Sequence, residues 1–98
     1  ITFGADGHLY VADYADNEIL RYDGSSGAFM GVFASGASLN GPEDIEFGPD
    51  GNLYVTNYDG DNIVRFDGST GASLGVFASA GIDTPEAMTF VLRRPAEG

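Results

Sequence analysis

FGPDGNLYVTNYDGDNIVRFDGSTG, Phe47 to Gly71, has a near copy earlier in the chain: FGADGHLYVADYADNEILRYDGSSG, Phe3 to Gly27, in register at an offset of 44 residues. The match continues through GVFAS, Gly31 to Ser35 and again Gly75 to Ser79. One residue is then dropped, so that GPEDIEF, Gly41 to Phe47, is answered by TPEAMTF, Thr84 to Phe90. Repetition on this scale marks stacked copies of one supersecondary unit rather than a single irregular core. The chain is thus divided into two whole modules, residues 1–44 and 45–87, and the opening of a third with its tail, residues 88–98.

Each module reads as four short apolar segments bounded by Gly, Asp, Asn or Pro, the pattern of β-strands. The first segments are Ile1–Phe3, Ile45–Phe47 and Met88–Phe90, and the second are Leu9–Ala12 and Leu53–Thr56. The third are Ile19–Tyr22 and Ile63–Phe66, and the fourth are Phe29–Ala34 and Leu74–Ala78. Ala5-Asp6-Gly7 and Pro49-Asp50-Gly51 join the first two strands, and Asp23 to Gly27 and Asp67 to Gly71 join the last two. Glycine accepts the left-handed position that closes a tight turn, and aspartate bonds its own backbone. All joins are hairpin-length, so each module is expected to be a four-stranded antiparallel meander, and the protein all-β.

A four-stranded sheet returning at about 44 residues matches the length of a propeller blade. The stretch GPEDIEFGPDGNLYVTNYDGDNIVRFD resembles the NHL repeat on Pro42, Ile45, Phe47, Asp50, Gly51, Leu53, Tyr54, Val55, Asn57, Asp61, Ile63, Phe66 and Asp67. The first module repeats the pattern on Asp6, Gly7, Leu9, Tyr10, Val11, Ala12, Asp13, Asn17, Ile19, Tyr22 and Asp23. The resemblance implies a β-propeller, usually of six blades, and covers the chain up to Phe90. It implies no single function, because propellers host many.

Fifteen acidic residues stand against four arginines, with no lysine, for a net charge of −11. Binding nucleic acid or an anionic membrane needs cationic side chains to displace counterions, so neither is expected as a partner. A basic protein or a cationic ligand stays open. With no cysteine there is no disulfide framework, thiolate metal site or cysteine nucleophile, and the compartment is left open. No apolar run approaches the roughly 18 residues that cross a bilayer. Beginning at Ile1 rather than Met, the chain reads as a processed or excised piece.

A blade within a ring is packed on both faces, which is why Leu9, Tyr10 and Val11 run together and Val32 and Phe33 are adjacent. Two blades alone leave two such faces open. Four strands ~4.8 Å apart and about five residues long make a face of roughly 300 Å². At ~25 cal/mol/Å² its burial is worth up to about 8 kcal/mol, comparable to the whole stability of a domain. The expected partner is therefore the chain itself, in a ring completed by oligomerisation: three copies for six blades first, four copies for eight second. Met88–Phe90 is a surplus innermost strand, expected to have completed the first blade in a longer parent and here to compete with Ile1–Phe3.

One rim should collect the loops between strands two and three and the links between modules. It carries the binding candidates Asp13, Tyr14, Glu43, Asp44, Asn57, Tyr58 and Glu86. Their plain reading is as turn formers; the functional one is a recognition surface for a basic partner. Glu46, Asp59 and Asp61 are weak metal candidates. The loops Asp13–Asn17 and Asn57–Asp61 cluster oxygen donors suited to calcium, without the acidic ladder of a recognised calcium motif. Glu46 sits mid-strand where its counterparts are Thr2 and Thr89, so copies in a ring would face one another around the axis. Its plain reading is a hydrated or arginine-paired carboxylate.

His8 matches Asn52 beside a turn, and Arg21 and Arg65 are matched positions suited to pairing with nearby acids. No second histidine and no Ser-His-Asp arrangement is present, so no catalytic residue or cofactor is assigned beyond the open calcium reading. The expectation is a non-enzymatic scaffold or binding module. The alternative, drawn from six-bladed relatives, is a metal-dependent lactonase- or lyase-like enzyme built on symmetric copies of Glu43, Glu46 or Asn57.

Overall fold

A computed structural model describes residues 1–36 and 38–91. Eight strands form two separate four-stranded antiparallel sheets, each in simple sequential order. The first sheet, blade 1, contains β1 (Thr2–Phe3), β2 (Leu9–Asp13), β3 (Glu18–Tyr22) and β4 (Phe29–Ser35). The second, blade 2, contains β5 (Pro42–Phe47), β6 (Leu53–Asn57), β7 (Asn62–Phe66) and β8 (Ser73–Ala78). No helix occurs among the described residues. The two meanders expected from the repeat are the architecture observed, and it is that of propeller blades.

The turns form for local reasons that recur in both blades. The Asp23 carboxylate accepts from the Ser25 and Ser26 amides at 2.8 and 2.9 Å, and Asp67 accepts from Ser69 and Thr70 at 2.8 and 3.0 Å. Such Asx caps replace the ladder bonds a reversing chain gives up. His8 Nδ1 and Asn52 Oδ1, at matched positions, accept from the Gly24 and Gly68 amides, each at 3.2 Å. A side chain at Gly24 or Gly68 would run into the carbonyl oxygen of Gly7 or Gly51, so adjacent hairpin turns can nest only over glycine.

Strand register decides which residues face the partner blade. In blade 2, Leu53 lies opposite Phe66 and Val55 opposite Val64 on one face, while Tyr54 lies opposite Arg65 and Thr56 opposite Ile63 on the other. The first set, with Ile45, is wholly buried against Tyr10, Ile19 and Ala34 of blade 1. Tyr10 is wedged edge-on between Phe47 of blade 2, at 5.0 Å, and Phe33 of its own blade, at 4.9 Å. A β-bulge places Phe33 there: β3 pairs Ile19 with Ala34 and Leu20 with Val32, leaving Phe33 unpaired between them. Phe77 is thrown out in the same way in blade 2 and meets Tyr54 at 4.9 Å.

Two boundaries differ from the sequence pattern. β5 begins at Pro42, three residues before the apolar run, because Thr56 Oγ1 accepts from the Asp44 amide at 2.9 Å and Pro42 pairs with Asn57 across a bulge. Met88–Phe90 joins no ladder among the described residues, since no described strand lies beside it to pair with. The tail assigned to residues 88–98 falls, from residue 92 onward, outside the described residues.

Phe66, fully enclosed at the centre of the interblade core, sets an upper scale for single-residue effects. Phe66→Ala is expected to lower stability by about 3–5 kcal/mol in urea unfolding, whereas Phe29→Ala, at a position 60% exposed, is expected to change it by about 0.5 kcal/mol or less.

Candidate functional site

The link between the blades and the β2–β3 and β6–β7 loops come together at one end of the molecule. Asn17 and Asp61 both hold left-handed backbone, φ 54° and 55°, a region these short polar side chains tolerate. Asn17 Oδ1 accepts from the Gly41 amide at 2.9 Å, tying the blade 1 loop to the start of blade 2. The Tyr58 amide donates to the Gly41 carbonyl at 2.8 Å, and the Gly60 amide to the Asn40 carbonyl at 3.1 Å. Gly41 itself, φ 66°, lies so close to the loops that an added Cβ would be 2.6 Å from Asp59 Oδ2.

Asn57 is the keystone of this end. It is completely buried, and its amide accepts from the Asn40 N–H at 3.0 Å while donating to the Ser38 carbonyl at 2.7 Å and Asn62 Oδ1 at 2.8 Å. Tyr14 bridges the blades: its hydroxyl donates to Asp59 Oδ2 at 2.7 Å and its ring meets Tyr58 edge-on at 6.5 Å. The bond to Asp59, with its negative charge, raises the Tyr14 pKa above that of an ordinary tyrosine.

Of the binding candidates, the structure gathers Tyr14, Asn57 and Tyr58 here around Asp59. Asp44 lies on the β5 side, where its carboxylate caps the Ile45 amide at 3.0 Å and accepts from the Met88 amide at 3.0 Å. Glu43 and Glu86 are exposed, and the Glu86 carbonyl lies 3.2 Å from the Thr56 hydroxyl. Asp13 falls into a carboxylate cluster with Asp16 and Glu18, with one oxygen of each within 4.8 Å of the others. That is the one such acidic group among the described residues, and one oxygen from each carboxylate would make three of the six to eight ligands calcium takes.

The metal candidates are engaged separately. Asp59 holds Tyr14, Asp61 Oδ1 accepts from the Thr84 amide at 2.8 Å, and Glu46, on β5, stands half-buried opposite Tyr54 of β6.

The opposite end of the blades carries a repeated cluster of different character. The Tyr10 hydroxyl donates to Asp6 at 2.7 Å and the Tyr54 hydroxyl to Asp50 at 2.7 Å. Arg21 lies 3.9 Å from Asp6 and Arg65 3.6 Å from Asp50, the pairing with acids expected of both arginines. Each guanidinium also sits over a ring, Arg21 over Phe33 at 5.9 Å and Arg65 over Phe77 at 5.5 Å. At a third exposed, these pairs contribute little as ion pairs and serve mainly to hold the aromatic rings.

In blade 1 the cluster borders a cleft of about 530 Å³ between the blades, lined by Asp6, Tyr10, Arg21, Phe47, Gly48 and Ser69. Sequence reasoning placed Asp6 and Asp50 only as turn residues. The signal it passed over is the spacing Asp-Gly-x-Leu-Tyr in both modules, which puts the tyrosine hydroxyl back over the turn carboxylate.

The Tyr54 hydroxyl and then the Asn52 amide hold the Asp50 carboxyl below its usual range. For Asp6, burial pushes upward but is outweighed by bonds from the His8 amide and the Tyr10 hydroxyl, so its pKa is also lowered. The turn amides lower Asp23, chiefly through Ser26, and Asp67, chiefly through Ser69.

The family model described as Strictosidine synthase-like, N-terminal, a β-propeller-related family, matches residues 32–66, which run from within β4 to the end of β7. The match thus spans the link, the β6–β7 loop and the inner face of blade 2. No curated protein and no solved structure matches the chain. The class these observations define is that of propeller-related blades.

Two outcomes test this account of the loops and turns. Asn57→Ala should cost about 2–3 kcal/mol in chemical denaturation, because it empties a buried position and leaves the Asn40 amide, the Ser38 carbonyl and the Asn62 side chain without their partner; Asp13→Ala, at the matched but half-exposed position, should cost less than about 1 kcal/mol. Carboxyls with folded pKa values below their unfolded ones stabilise above the unfolded value and lose that contribution as pH falls through the folded one. Melting temperature should therefore fall below about pH 4, and Asp23→Asn with Asp67→Asn should flatten that fall.

Proposed function

We propose that the 98-residue polypeptide is a non-enzymatic scaffold, an NHL-like propeller piece that assembles head to tail into a closed ring and binds other molecules through its loop-bearing end. The observation that carries this reading is the relation between the two outer faces. Leu9, Val11, Leu20 and Tyr22 lie on the outer face of blade 1 and are half-buried, and their counterparts Leu53, Val55, Val64 and Phe66 are buried completely against blade 1. The outer face of blade 2 carries Tyr54, Ile63, Arg65 and Phe77, the counterparts of the Tyr10, Ile19, Arg21 and Phe33 that cover them.

Each outer face therefore presents what the other already binds inside the molecule. A contact of this kind is heterologous, and rotation by two blades per copy closes it into a ring instead of a dimer. Three copies give the six blades that the NHL resemblance implies. The loop-bearing end would then repeat Tyr14, Tyr58 and Asp59 around the ring beside the acidic cluster of Asp13, Asp16 and Glu18, a surface suited to a basic protein.

Light scattering on the purified polypeptide is expected to give the mass of three chains. Leu20→Glu, which places a charge on the outer face of blade 1, should shift that mass to a single chain at micromolar concentration. A wild-type mass of one chain, or a Leu20→Glu mass unchanged from wild type, counts against the ring.

A further inference from the structure

The cleft between the blades lies at the turn-bearing end, and both of its walls belong to one chain. Blade 1 supplies Asp6, Tyr10 and Arg21, and blade 2 supplies Phe47, Ser69 and the glycines of two turns. Its volume of about 530 Å³ falls in the range of small-molecule sites, roughly 300–1,000 Å³. Turn packing keeps it open. A Cβ at Gly48 would lie 2.5 Å from the Tyr54 ring, and one at Gly68 would run into the Gly51 carbonyl oxygen, so neither position can carry a side chain that fills the cleft.

The lining is of two kinds. The Tyr10 and Phe47 rings, edge-on with centroids 5.0 Å apart, make it apolar on one side. Beside them Arg21 stands 3.9 Å from Asp6, close enough for attraction but beyond hydrogen-bond length, so the guanidinium keeps donors that this carboxylate does not take. A second cavity, of about 180 Å³, also borders Arg21 and Ser69, and the guanidinium thus faces open space in both. Asp6 accepts from the His8 amide at 3.0 Å on one oxygen and from the Tyr10 hydroxyl at 2.7 Å on the other, and each oxygen has a second lone pair to offer.

The two opposite charges restrict the ligand. A lone anion would gain Arg21 but meet Asp6, and a lone cation would gain Asp6 but meet Arg21. A zwitterion opposes neither. We propose that the cleft binds a free α-amino acid with an apolar side chain. The ligand carboxylate takes the donors of Arg21 and the Ser69 hydroxyl, its ammonium group donates to Asp6, and its side chain lies against Tyr10 and Phe47. This site goes beyond the ring reading, because every residue lining it comes from a single chain, and its test does not depend on how many chains assemble. Arg65, the matched arginine of blade 2, does not line the cleft and serves as the internal control.

The test is calorimetric titration of the full chain with L-phenylalanine, 3-phenylpropionate and 2-phenylethylamine, which share a ring and differ in head group. L-Phenylalanine is expected to bind with a Kd of about 1 mM or tighter, and the other two about tenfold more weakly or worse. Arg21→Gln should weaken L-phenylalanine about tenfold or more, the loss of a charge-assisted pair, while Arg65→Gln leaves it within about twofold. In amide NMR spectra L-phenylalanine should shift Gly48, Gly51 and Ser69 and leave Gly41 and Asn57 in place.

No binding of L-phenylalanine at about 10 mM overturns the proposal. So do equal affinities for the three probes, equal losses in the two arginine variants, or shifts confined to the loop-bearing end. Should Arg21→Gln fail to fold, Ser69→Phe decides the matter, since it fills the cleft from an exposed turn position and leaves the Arg21–Asp6 pair intact. It must abolish binding, and L-phenylalanine bound by Ser69→Phe as by wild type overturns the site.

Discussion

The contact on which the molecule depends is the burial of Ile45, Leu53, Val55, Val64 and Phe66 against Tyr10 and Ile19. Neither sheet owns this core. A four-stranded meander is one layer thick and cannot bury an apolar face within itself, so each blade is completed by its neighbour. That dependence explains why the strands lack the simple in-out alternation of a one-sided sheet. Tyr54 and Val55 are adjacent and both are buried, each toward a different side of the same sheet.

The aromatic residues in this arrangement are oriented by polar ones. The tyrosine of each blade is held at its hydroxyl by the turn carboxylate four residues earlier, and at its ring by the phenylalanine expelled from the outer-strand bulge. An arginine on the third strand lies over that phenylalanine and near the same carboxylate. The bulge, the turn and the ion pair thus act together: each fixes one edge of a ring that the next blade packs against. The acidic composition fits this design, because most of the aspartates described here accept from backbone amides or tyrosine hydroxyls, where a carboxylate is a stronger acceptor than a neutral side chain.

At the loop-bearing end the matched position of the repeat performs different work in the two blades. Asn57 is buried and fully bonded, while Asp13 at the matched position is half-exposed beside Asp16 and Glu18. The difference arises because the link Ser38–Gly41 lies over Asn57 and supplies its partners. Two near-identical sequences therefore yield one structural keystone and one acidic surface.

The repeat, its four strands and the positions of its turns were legible in the chain because each rests on local chemistry: strand periodicity, Asx capping and glycine at nested turns. The pairing of Arg21 and Arg65 with acids was legible for the same reason, since the partners lie one strand away. Other features needed the folded molecule. Nothing in Phe33 or Phe77 announces a bulge, because the unpaired residue is chosen by the register of three strands at once. The early start of β5 and the burial of Asn57 depend on where the link crosses the blade ends, and the Tyr14–Asp59 bond joins residues 45 positions apart. Contacts between blades are invisible to a local pattern, since a residue's neighbours across them are set by how two sheets stack and not by the sequence on either side.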